Sequence, residues 1–134
     1  MWSFIKNKFN LFSFITLALS ILPMTLQSQT VIDIQVSPNV LNLQNSGEVV
    51  TVHTDIAYSL VVGASVEIND VEISWWKSDN QGNFVAKFEI ADIKNLPLNI
   101  GSLNKLTLTG TTIDGEVFIG SYDVMVINVL PKKK

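Results

Sequence analysis

Between Ile32 and Val126, apolar residues recur at every second position in short runs, and Gly, Pro, Asn and Asp break each run before it reaches the length of a helix. No stretch of about ten residues there carries the three-to-four spacing of an amphipathic helix. A period of two sends successive side chains to opposite faces of a strand, so each run has one face to bury and one to show to water. The chain is therefore expected to be all-β, a single antiparallel sandwich of roughly seven or eight strands.

The runs can be followed along the sequence. Ile32, Ile34 and Val36 alternate with Asp33 and Gln35 up to Pro38-Asn39, and Leu41 and Leu43 follow, up to Asn45-Ser46-Gly47. Val50 and Val52 oppose Thr51 and His53, and Tyr58 to Val62 predicts a further strand. Val66 and Ile68 lead into Asn69-Asp70, residues that tolerate the positive φ of a tight turn, and Val71, Ile73 and Trp75 lead out on one face. That register sets Glu67 opposite Glu72. Phe84, Ala86, Phe88 and Ile90, alternating with Val85, Lys87 and Glu89, make the clearest strand. Residues 91–101 lack alternation and carry Pro97, which predicts a crossover with a short helical turn. Leu106 and Leu108 begin a strand that turns at Asp114-Gly115 and returns over Val117 to Val129. The apolar face of the return strand switches from Val117 and Ile119 to Tyr122, Val124 and Val126, which predicts a bulge at Gly120-Ser121.

The N-terminus speaks to location. Lys6 and Lys8 precede an uncharged apolar stretch, Leu11 to Leu22, which stops at Pro23 and gives way to small and polar residues near Ser28. This is the layout of a secretory signal, expected over residues 1–28. The rival is an uncleaved membrane anchor, but Phe9 to Leu26 only just reaches the ~17–25 residues of a bilayer span and is interrupted by Asn10, Ser13, Thr16, Ser20 and Pro23. Contact with a membrane is expected only if this segment is retained. The chain has no cysteine, so neither a disulfide nor a lipidated cysteine is available and the core must hold an exported domain by itself. The domain is expected over residues 29–130, with a basic tail at 131–134 and a location outside the cell or in its envelope.

All nine basic residues are lysines, and without Lys6 and Lys8 seven of them stand against twelve acids. The guanidinium fork that grips phosphates is missing and the balance is acidic, which argues against a nucleic-acid partner. Lys132 to Lys134 read as a solvated end.

The runs Gly82 to Phe88 and Leu106 to Ile127, with Val36 to Leu43 and Gly47 to His53 before them, resemble the strands of immunoglobulin-like modules in secreted bacterial and archaeal surface proteins. The resemblance covers most of residues 31–127. It implies an immunoglobulin-like sandwich that serves as a spacer or binding domain, and it brings no catalytic residues.

Candidate constellations are few. One histidine, His53, on the polar side of its strand, and no cysteine leave a hydrolytic triad unsupported. Asp79-Asn80-Gln81-Gly82-Asn83 superficially suggests a calcium loop, but Phe84 and Ile90 stand at the sixth and twelfth positions, where glycine and glutamate belong, so a hairpin loop is expected. Glu67 and Glu72 facing each other lack the further oxygens a cation needs. No catalytic, cofactor or metal residue is therefore assigned. Trp75-Trp76-Lys77 is the feature that stands out: neighbours on a strand point to opposite faces, so Trp75 is expected in the core with Val71 and Ile73, leaving Trp76 on the outer face or near a sheet edge, either open to a ligand or covered by the loop Ala91 to Gly101. Trp76 and Lys77 are thus the candidate ligand contacts. The function expected is a non-enzymatic structural or adhesion module with a protein or glycan partner. The alternatives are a carbohydrate-binding module using Trp76 and, further off, a small hydrolase.

Overall fold

The computed structural model describes residues 29–47, 49–130 and 132. The expected signal, residues 1–28, lies outside the described residues, as does the tail apart from Lys132. Among the described residues, no helix is long and apolar enough to cross a membrane.

Among the described residues the strands are β1 (Gln29–Val31), β2 (Ile34–Ser37), β3 (Val40–Asn42), β4 (Val49–Ala57), β5 (Glu67–Ile68), β6 (Val71–Glu72), β7 (Trp75–Ser78), β8 (Asn83–Glu89), β9 (Ser102–Thr111) and β10 (Val117–Ile127), with one short α-helix, α1 (Ile90–Lys94). They form two sheets. A four-stranded sheet runs β2-β4-β8-β7; a six-stranded sheet runs β10-β9-β5-β6, with β1 and β3 both on the free edge of β10. One core lies between them, built from Val36, Val50, Val52, Phe84, Ala86 and Phe88 on one side and Ile68, Leu106, Leu108, Phe118, Val124 and Val126 on the other. Burying that apolar surface is the main favourable contribution to the fold, at ~25 cal/mol per Å².

The all-β expectation stands, with two amendments. Among the described residues the strands number ten rather than seven or eight, and the fold is not wholly antiparallel, since β1 and β3 both pair with β10 in parallel. The run Ile32, Ile34, Val36 predicts one strand, whereas the chain changes sheets within it. The Ile32 amide still donates to the Ile119 carbonyl of the six-stranded sheet, while Ile34 already pairs with Thr54 of the other. Asp33 holds the crossing: its amide donates to Asp55 Oδ1 and its carbonyl accepts from the Asp55 amide. Apolar alternation looks the same on either sheet when both face one core, so the crossing leaves no mark in the pattern.

That crossing also removes the expected bulge. β10 pairs with β9 without a break from Val117 to Val126, and its inward residues are Phe118, Gly120, Tyr122, Val124 and Val126. The face never switches. Position 120 is glycine because a Cβ there would stand 2.8 Å from the Ile32 carbonyl oxygen and from Ile34 Cγ2, where the first strand passes over it. Val117 and Ile119 are half-buried on the outer face.

Tyr58 to Val62 is not a strand either. It makes a 3-10 turn (Tyr58–Leu60) and an isolated bridge from Val61 to Thr112, because here the chain must pass from β4 in one sheet to β5 in the other. The remaining turns are as the residues require. Asn69 and Asp70 take φ of 45° and 68°, setting Ile68 opposite Val71 and Glu67 opposite Glu72. Gly115 takes φ of 86° at the β9-β10 turn. Residues 91–101 carry the chain between sheets, with Ile90 and Ile93 of α1 anchored in the core. Asn104, buried, braces that crossover: its Oδ1 accepts from the Asn99 amide at 2.7 Å and its Nδ2 donates to the Asn99 and Ser102 carbonyls.

Candidate functional site

The outer face of the four-stranded sheet is set by register alone. Trp75 pairs with Lys87, Lys87 with Thr51 and Thr51 with Ser37, so these four residues form one row across β7, β8, β4 and β2. The next row is Lys77, Val85, His53 and Gln35. Cross-strand partners share a face, so both rows look away from the core.

This placement reverses the expectation for the tryptophans. Trp75 is not in the core; it is 45% exposed. The chain leaves the six-stranded sheet after Glu72 and enters the other at Trp75, so the face carried by Val71 and Ile73 does not extend to Trp75. Trp76 pairs with the fully buried Ala86, which puts it on the core side of an edge strand, and it is still 38% exposed because no strand lies beyond β7. The expected position near a sheet edge holds, while the outer face belongs to its neighbour. Gly63 accommodates the Trp76 indole, which a side chain at that position would overlap.

Lys87 ties the first row together. Its ammonium stands 5.4 Å from the Trp75 ring centroid, within the range of a cation–π contact, and donates to Thr51 Oγ1 at 2.7 Å. Partial burial, and then the nearby charge of Lys77, lower the Lys87 pKa from the usual lysine value. Neither lysine forms an ion pair among the described residues. Val85 is fully buried although it points outward, so the side chains around it on that face lie over it. The result is a surface with one open indole, two ammonium groups that form no ion pair among the described residues, an imidazole, two hydroxyls and an amide.

Acids bound this surface at both ends. Glu89, which accepts from Ser74 Oγ, lies beyond the first row. Past the second lies a depression of about 410 Å³ lined by Asp33, His53, Asp55 and Asp79 among others. Two of its carboxylates already serve the backbone: Asp55 accepts from the Asp33 amide, and Asp79 Oδ1 accepts from the Gln81 and Asn83 amides, closing the hairpin loop expected there. A second acidic depression, about 490 Å³, lies between the β5-β6 turn and α1 and includes Asp70, Glu72 and Asp92. Among the described residues, no group of three or more His, Asp or Glu side chains is placed to hold a metal ion. The cross-strand neighbours of His53 are Gln35 and Val85, and neither is a nucleophile.

Of the expected contacts, Lys77 lies on the outer face and Trp76 at the edge beside it, while Trp75 and Lys87 are the ones the alternation missed. A signal was present in Lys77: a charged residue two positions on shares the face of Trp75, and charge marks the face that meets water. Comparison of the chain with protein-family models, curated proteins and solved structures finds no match.

Proposed function

We propose that the chain is an exported, non-enzymatic immunoglobulin-like module that works by surface contact, in a structural or adhesion role at the cell envelope or outside the cell. The observation that carries this is the strand order. In an immunoglobulin sandwich, strands A, B, E and D form one sheet and C, F and G the other. The orders β2-β4-β8-β7 and β5-β9-β10 follow that plan, with β3 as a second half of the first strand and β6 extending the C edge. Lys6, Lys8 and the apolar run to Leu22 support export. A protein or a glycan is the partner such a module would take.

The test is cellular. Intact mass of the protein recovered from its host should show the loss of about 25–30 residues, as signal peptidases remove. The shortened form should occur in the envelope or the medium. Full-length protein in the cytosol would overturn the proposal.

A further inference from the structure

We propose that the outer face of the four-stranded sheet binds a single chain of an acidic, uronate-type polysaccharide laid across the strands from β7 to β2. The inference rests on reading the module as an extracellular interaction domain, and it names the ligand class. Trp75 would stack on one sugar ring, Lys77 and Lys87 would meet carboxylates, and Thr51, Ser37 and Gln35 would hydrogen-bond hydroxyl groups.

Charge chooses the class of ligand. The chain carries twelve acids against nine lysines, yet Lys87 stands over the exposed Trp75 indole, Lys77 shares its face, and neither forms an ion pair among the described residues. Burial first, and then the charge of Lys77, lowers the Lys87 pKa, and an anion placed over the two ammonium groups would relieve the second of these. A neutral glycan would leave both charges unused.

Size narrows the ligand further. Three strand spacings of about 4.8 Å give the strip a length of roughly 14 Å, and two rows set about 7 Å apart give its width. The strip therefore covers on the order of 100–200 Å², well short of the ~800 Å² per partner of a stable protein interface. Glu89 on one side and Asp33, Asp55 and Asp79 on the other would repel a wider polyanion such as a nucleic-acid duplex. A narrow, extended, singly stranded chain with carboxylates and flat ring faces fits what remains.

Affinity electrophoresis of the protein as recovered from its host provides the test, in gels containing polygalacturonate, dextran or polyaspartate. Polygalacturonate should retard the wild type saturably, and less so as salt rises, because exposed charges are screened. Dextran should not. Trp75→Ala and the double variant Lys77→Gln/Lys87→Gln should each weaken retardation by about tenfold, the scale of one lost stacking or charge contact. Circular dichroism confirms that each variant is folded, and all of these residues lie outside the core. No retardation of the wild type by polygalacturonate overturns the proposal. So does retardation that Trp75→Ala leaves unchanged, or that polyaspartate reproduces in full, since charge alone would then suffice. Either failure leaves the export and mass of the protein untouched, so it is distinguishable from failure of the module reading.

Discussion

Trp75 and Phe118 exchange the roles that alternation gives them. The indole, which the run Val71, Ile73 assigns to the core, is open to water beside Lys87, while Phe118, which an inward Val117 and Ile119 would turn outward, is fully buried. In chemical denaturation, Phe118→Ala should therefore cost about 3–5 kcal/mol by leaving a cavity, whereas Trp75→Ala should cost about 1 kcal/mol or less. A large loss in Trp75→Ala would mean that the tryptophan is buried after all. Lys87 offers a second check. Its folded-state pKa lies below that of the unfolded chain, so protonation weighs against the native state, and stability should rise slightly with pH over the interval just under the usual lysine range. Lys77→Gln should move the Lys87 titration, followed by NMR of its side chain, upward only in part, because burial outweighs the charge of Lys77. Single residues were the least legible feature of the sequence, since which face a side chain takes depends on the sheet its strand has joined.

Elements were more legible where a strand stays in one sheet. The β5-β6 hairpin has the register that Asn69-Asp70 imposes, β8 buries Phe84, Ala86 and Phe88 as its alternation requires, and the crossover 91–101 holds a short helix. Legibility fails at three of the places where the chain changes sheets, Ile32–Ile34, Tyr58–Ser65 and the step from Glu72 to Trp75. Those crossings are set by contacts distant in sequence, and Gly120 beneath the first of them is the trace they leave. Gly120→Ala should cost about 1–3 kcal/mol, because its Cβ would press on the Ile32 backbone rather than on a flexible side-chain end. A neutral effect in denaturant would show that the first strand does not pass so close.

As a whole, the described chain joins two sheets through one core and contains no cysteine. Unfolding should be a single transition with equal calorimetric and van't Hoff enthalpies, unchanged by reductant. Two transitions would mean that the sheets melt separately. The candidate surface was half legible: Lys77 and the neighbourhood of the tryptophans could be read from the sequence, while the row linking Trp75, Lys87, Thr51 and Ser37 exists only once four strands are in register. The parallel pairing of β1 and β3 with β10 has a mechanical consequence. Gln29 lies beside Val117 and Asn42 beside Ile127, along an 11-residue strand roughly 35 Å long at about 3.3 Å per residue. A pull on the chain at residue 29 against one at residue 127 drags these strands past each other lengthwise, so the hydrogen bonds along that seam share the load in shear instead of opening one after another.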